Sequence, residues 1–325
     1  MSKVTSNKKL LSLLIVLAIV LLLPLFIDNA FYLQILVVAG IWAIVVIGLD
    51  LLVGYTGYVS FGHAAFFGIG GYTSAILVMK MSAPFWLSLP IAALFTGVIG
   101  YLISKPCFRL TGTYFAIGTL AFAEIVNIIF TNWESVTGGV YGLIGVPALF
   151  PNLKTYFYFV YAFLIIIGFL VYRLAASPVG KALIATKENE NLAQSIGIDI
   201  LRMKQFVFTL SCVIAGFGGI LLIHLVGFAS PLSFTVNTSL ELIVIIIIGG
   251  AGTLIGPVFG AFFLLILSQY LATFTELRLM IYGLVLILVI KYFPGGIVGG
   301  IKRLATSTKK KGMKLDGTIT SAKSQ

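Results

Sequence analysis

The chain has 325 residues, of which 60% are hydrophobic and 10% charged, and its mean hydropathy is +1.12. That balance is too apolar for a water-soluble fold of this length and reads as an all-α polytopic membrane protein. The net charge of +11 does not point to nucleic acid, because a nucleic-acid reader needs a soluble basic face that such a chain lacks.

A span needs about 20 mainly apolar residues to cross roughly 30 Å of hydrocarbon. Runs of that kind predict about ten transmembrane helices, at 10–27, 31–52, 62–79, 85–104, 113–131, 156–174, 206–226, 239–256, 257–273 and 278–293. The first run follows Lys3, Lys8 and Lys9 and continues through Pro24, Leu25 and Phe26 with no small-residue cleavage site, so it reads as a retained helix. With an N-terminus (1–9) inside, every lysine and arginine except Lys80, Lys154 and Arg278 falls on the same side. That asymmetry predicts cytoplasmic N- and C-termini. The membrane domain is then 10–293, followed by a basic cytoplasmic tail, 294–325, expected to be disordered and close to lipid. Cys107 and Cys212 map to the reducing side, where disulfides are rare, and two cysteines with two histidines build no metal site.

Between the second and third spans, Gly54 to Gly71 (GYTGYVSFGHAAFFGIGG) interrupts the apolar pattern and predicts a broken or re-entrant segment. Such backbone is tolerated at membrane depth only inside protein or beside water. Thr56, Ser60 and His63 form its polar set. A lone buried histidine there is more often a hydrogen-bonded structural residue, and no carboxylate or cysteine neighbours it in sequence to give it metal-ligand or nucleophile geometry. Along the fifth span Thr113, Leu120, Glu124, Asn127 and Thr131 recur at steps of three, four or seven, with Glu124 near the middle. A charge at that depth costs about 2.5–3.5 kcal/mol and should face the bundle interior or water. Two roles stay open for Glu124, a lining group of a polar path or an interhelical bond that fixes packing. Thr113, Thr119 and Asn127 join Thr56, Ser60, His63 and Glu124 as the candidate path. After the fifth span, Gly138 to Lys154 forms a long outer loop, a candidate landing surface for a partner protein.

The segment 177–204 (SPVGKALIATKENENLAQSIGIDILRMK) is the one long polar stretch between two spans. Ser177 as N-cap, Pro178 at the first helical position and Gly197 as left-handed terminator predict one helix of about eighteen residues. Its modest apolar stripe is Leu183, Thr186, Glu190, Ala193 and Ile196, which suits docking along a membrane face or in a protein groove. Further on, Ser211, Ala215 and Gly219 make a small packing face. Gly252, Gly256 and Gly260 fall on one helical face, interrupted by a turn or kink at Pro257. The two glycine-rich stretches sit at comparable places in the two halves, a hint of inverted repeats.

Four stretches together, GYTGYVSFGHAAFFGIGGYTSA, LTGTYFAIGTLAFAEI, SPVGKALIATKENENLAQSIGID and LELIVIIIIGGAGTLIGPVFGA, with YFPGGIVG near the C-terminus, resemble the LivM class of branched-chain amino-acid permeases. The likeness runs from about Tyr32 to Gly300. Glu190, Ala193 and Gly197 also loosely resemble the coupling loop of ABC importer permeases, though Asn191 and Leu192 replace its Glu and first Ala. The resemblance implies a fold similar to the larger class of importer permeases, typified by the cobalamin importer. It also implies a second permease subunit in a heterodimer, two cytoplasmic ATP-binding-cassette ATPases and an extracytoplasmic solute-binding protein. Ser177, Pro178, Leu183, Glu190, Ala193, Gly197 and Asp199 would form the ATPase-coupling loop. No GxxxxGK[ST] occurs, so no cofactor is expected on this chain and ATP would be bound by the partner subunits. The same type of permease serving urea, short amides or another small solute remains an alternative, as does an ion-coupled secondary transporter, which would not need the loop.

Overall fold

The structure, a computed structural model, describes residues 23–27, 29–271, 275–293, 295–297 and 299. Its helices in chain order are α1 (Ala30–Thr56), α2 (His63–Lys80), α3 (Phe85–Cys107), α4 (Thr113–Asn132), α5 (Glu134–Thr137), α6 (Leu153–Ala176), α7 (Pro178–Glu188), α8 (Glu190–Ser195), α9 (Ile200–Val226), α10 (Val236–Gly249), α11 (Ile255–Tyr270) and α12 (Thr275–Tyr292). Among the described residues, five helices are long and apolar enough to cross a membrane: α1, α3, α4, α6 and α9. The runs at 62–79, 239–256, 257–273 and 278–293 become helices that are shorter, less apolar or more charged. Most of the predicted span 10–27 and of the tail 294–325 lies outside the described residues.

Helix α9 sits at the centre, packed against α1, α2 and α3. Its small residues let backbones touch, as membrane helices require when lipid offers no hydrophobic drive for association. A side chain on Gly219 would collide with the Phe67 carbonyl, and one on Gly70 with the backbone of Gly216. Ser211 and Ala215 are fully buried on the same stripe. The peripheral helices differ. Along the most apolar stretch of α1, 78% of positions are buried, against 28% in α4 and 22% in α6, so the latter two present most of their surface outward.

The break in the first glycine-rich stretch is narrower than the sequence predicts. α1 runs through Gly54 to Thr56, stops at Gly57 in the left-handed region (φ 78°), and α2 starts at His63. Only residues 57–62 are non-helical, because Gly68, Gly70 and Gly71 serve as helix contact points rather than breakers.

A second break follows α9, between the predicted spans 206–226 and 239–256. Strand β2 (Phe228–Ala229) pairs antiparallel with β1 (Leu143–Ile144), and a 3-10 turn, Pro231–Phe234, then leads into α10. Phe234 is buried edge-on to Phe67, and Tyr72 of α2 donates to the Ala229 carbonyl at 3.1 Å. The signal was Ser230–Pro231, whose serine caps the turn by accepting from the Leu232 amide.

The glycine repeat at 252, 256 and 260 is not one helical face. Gly252 lies in the turn between α10 and α11 at φ 74°, and Pro257 sits inside the first turn of α11, where a missing N–H costs nothing. Gly256 and Gly260 do pack against α10, on the backbone of Gly249 and Ile245. Gly252 instead abuts Gly54 of α1, so the two glycine-rich stretches meet.

Candidate functional site

The segment 177–204 folds as two helices, not one. Ser177 caps α7 through the Gly180 amide, as expected, but Asn189 adopts an extended backbone and caps α8 by accepting from the Leu192 amide at 3.1 Å. An asparagine side chain competes well for helix N–H groups, and here it restarts the helix. Pro178 occupies the first position of α7, and Gly197 is left-handed at φ 87°, as its role demands. Asp199 caps α9 through the Arg202 amide at 3.1 Å and pairs with the Arg202 guanidinium at 2.9 Å. Leu183, Thr186 and Ala193 are buried, whereas Glu190 and Ile196 of the predicted stripe are exposed, since the break at Asn189 rotates α8 relative to α7.

Three groups converge where this segment meets the membrane helices. The Lys204 ammonium at the start of α9 donates to Glu190 Oε1 at 2.7 Å and to the Tyr58 hydroxyl at 2.7 Å, and the Tyr58 hydroxyl donates to the same Glu190 oxygen at 3.1 Å. The ammonium also lies 4.3 Å from the centroid of the Tyr58 ring. Lys204 is buried, and a buried ammonium is tolerated only when paired. Tyr58 is edge-on to Phe108 and Phe115, which stack on each other, and both lie edge-on to Phe208 of α9.

Nearby, Lys187 donates to the Gly54 carbonyl at 2.7 Å, and Asp50, buried in α1, accepts the Gly252 amide at 2.9 Å. Asp50 thus caps the turn between α10 and α11.

The remaining predicted path residues divide. Ser60 and His63 are buried in a chain of bonds that fixes the histidine tautomer. Ser211 donates to the Gly48 carbonyl at 2.6 Å, so its oxygen accepts from His63 Nε2 at 2.6 Å, leaving His63 Nδ1 to accept from Ser60 at 3.1 Å. Thr119 reaches the break from α4, accepting the Phe61 amide at 3.1 Å, and Ser239 of α10 accepts the Ala64 amide at 3.1 Å. Side chains from α4 and α10 therefore satisfy backbone amides that the break frees, while Ser211 of α9 holds the His63 ring. Thr56 bonds its own helix at the Leu52 carbonyl, and Asn127 donates to the Pro231 carbonyl at 2.9 Å. Glu124 stands apart, exposed on the outward face of α4 with Ile117, Ile125 and Ile128, whereas Thr113, at the start of α4, lines a cavity with Gly57, Tyr58, Val59 and Glu190.

Sequence reasoning missed Tyr58 and Lys204. Stepping back by threes and fours from the small stripe of α9, Gly219, Ala215, Ser211, Val207, Lys204, would have placed the lysine on the packed face.

Residues 31–290 match the family model for branched-chain amino acid transport system / permease component. The chain belongs to that family. The high-affinity branched-chain amino acid transport system permease protein LivM of Escherichia coli K12 is 32% identical over 287 residues, covering 79% of this chain and 68% of its own. A probable branched-chain amino acid transport permease protein LivM of Methanocaldococcus jannaschii is 26% identical over 86% of this chain and 96% of its own. Among solved structures, PsaBC from Streptococcus pneumoniae in complex with Fab superposes with a TM-score of 0.45 at 13% identity, over 81% of this chain and 92% of that chain. The chain is accordingly a LivM-class permease, a multi-pass protein of the bacterial inner membrane and a transport subunit, not itself an enzyme.

Proposed function

We propose that the chain forms half of the membrane path of an ATP-driven importer that carries leucine, isoleucine and valine inward. An extracytoplasmic binding protein would deliver the cargo and two cytoplasmic ATPases would drive the cycle. The observation that carries this reading is segment 177–204. Its two short helices bury Leu183, Thr186 and Ala193 inward while Leu192 and Ile196, four residues apart, stand 64% and 70% exposed beyond the last turn of the membrane helices. An exposed apolar pair, in a segment that also exposes Lys181 and Glu188, suits a protein groove. The excess of lysine and arginine at this end supports its being cytoplasmic.

Glu124 supports a second permease subunit on the outward face of α4. A carboxylate midway along a 20-residue apolar helix and exposed on the single chain would cost about 2.5–3.5 kcal/mol against lipid, so this face suits a protein-lined, polar path between subunits. Glu124→Ala should cut uptake while the complex still assembles; uptake at the native level would remove Glu124 from the path.

Gentle purification of the tagged chain followed by mass spectrometry should recover an ATP-binding-cassette protein and a second permease. Both should be lost on deletion of 177–204. In vesicles carrying the complex, labelled leucine should accumulate and unlabelled valine and isoleucine should compete, while urea and short amides should not. Gradient-driven uptake by the chain alone would replace the importer reading with an ion-coupled carrier.

A further inference from the structure

We propose that Lys204, Tyr58 and Glu190 form a releasable latch that passes the movement of the ATPase-facing helices to the non-helical link 57–62, and so to the helix that starts at His63. The proposal rests on the reading of segment 177–204 as the coupling element and adds the route by which its motion reaches the membrane helices.

Four observations support it. The three groups come from three separate parts of the chain, the link, α8 and α9, and their donors and acceptors match. The ammonium donates twice, the tyrosine hydroxyl accepts once and donates once, and one carboxylate oxygen accepts twice. Such charge-assisted bonds are strong enough to hold a conformation. The two partners are unequal in exposure, with the Lys204 side chain 7% exposed and that of Glu190 46% exposed. Glu190 can therefore swing out into water, and the cost of leaving buried Lys204 with only the Tyr58 hydroxyl and ring biases the latch towards its closed state. The link itself is held at its far end by Thr119 on the Phe61 amide and by the Ser60, His63 and Ser211 chain, so displacement of Tyr58 is transmitted and not absorbed. Finally, a cavity of about 670 Å³ lined by Gly57, Tyr58, Val59, Thr113, Ala116 and Glu190 lies beside the latch and leaves room for the link to move. Packed elements with two discrete arrangements are what coupling requires.

A latch must open, whereas a brace need not, and that difference is measurable in the assembled complex. Cysteines at Val59 and Asn191, which flank Tyr58 and Glu190 in the chain, would be joined by a reducible bifunctional thiosulfonate. Cross-linking should abolish leucine uptake and reduction should restore it. Full uptake by the cross-linked complex would overturn the proposal, because it would show that the link and α8 never separate.

Independently, Tyr58→Phe keeps the ring and removes the hydroxyl. Leucine transported per ATP hydrolysed should fall about three- to ten-fold, the scale of a lost charge-assisted bond. Lys204→Arg should retain more of the ratio than Lys204→Met, and equal loss in both would also overturn it. If no ATPase accompanies the native chain, the coupling reading and the latch both fail. If the ATPase is present and stimulated but the cross-link is harmless, the latch alone fails.

Discussion

Helix α9 carries a buried polar side chain near each end, and the two ends are built differently. At its start Lys204 is a charged group whose principal anion, Glu190, belongs to a six-residue helix lying half in solvent. At its finish His224 is bonded to Ser74 at 2.9 Å and to the Pro147 carbonyl at 2.8 Å, and Ser74 lies 3.0 Å from Ser88. Ser74 and Ser88 are neutral, buried, and carried by α2 and α3, helices already packed against α9, while the Pro147 carbonyl comes from the exposed loop after β1. A helix fixed by neutral bonds at one end and by a solvent-accessible ion pair at the other is rigid where its neighbours must stay together and releasable where they must part. The same segment of chain thus supplies an anchor and a point of control.

The change that should break the comparison most thoroughly is Gly219→Leu, between the two ends and nearer His224. The Phe67 carbonyl occupies the space a Cβ would need, and a carbonyl in α2 cannot move without the helix. A loss of about 3 kcal/mol or more, or failure to accumulate, is expected from backbone overpacking. Thermal unfolding in detergent would measure it, and native stability would show that α2 and α9 do not touch there.

Next in size is His224→Ala, which leaves the Pro147 carbonyl without its partner and Ser74 with Ser88 alone. Stability should fall by about 1–3 kcal/mol, and the outer loop 138–152 should become more susceptible to protease. Transport per ATP in the surviving complex should stay at the native value. A changed ratio would mean that the outer end also takes part in coupling.

How far the sequence foretold this arrangement depends on the kind of signal. The long apolar runs at 31–52, 85–104, 113–131, 156–174 and 206–226 were legible because length and hydropathy alone decide a span; each became a helix, extended by its caps. The start of segment 177–204 was legible too, since Ser177 and Pro178 act locally. Its break at Asn189 was not, because Asn in the sequence KENEN is equally compatible with a solvated helical position and a new cap. The path residues were readable as polar but not as partners. His63 and Ser211 stand far apart in the chain, and only tertiary packing reveals that the serine accepts from the histidine. The same holds for Asp50 and the Gly252 amide, a side chain satisfying backbone that no periodicity could link to it.

The smallest expected effect discriminates within the loop end itself. Arg202 and Asp199 form an ion pair as short as a strong one, at 2.9 Å, yet their side chains are 87% and 52% exposed. Exposed pairs are screened and must order two long side chains, so such contacts contribute roughly 0–1 kcal/mol. Arg202→Ala should therefore leave unfolding and transport per ATP close to native, even though it removes a contact two residues from Lys204. Tyr58→Phe should show the opposite pattern, with stability little altered, because the ring keeps its edge contacts with Phe108 and Phe115, and coupling reduced. If Arg202→Ala lowered the transport ratio as much as Tyr58→Phe, charge in this region would matter collectively. The specific geometry of Lys204, with its burial and its two partners, would then lose its claim to be what separates one end of α9 from the other.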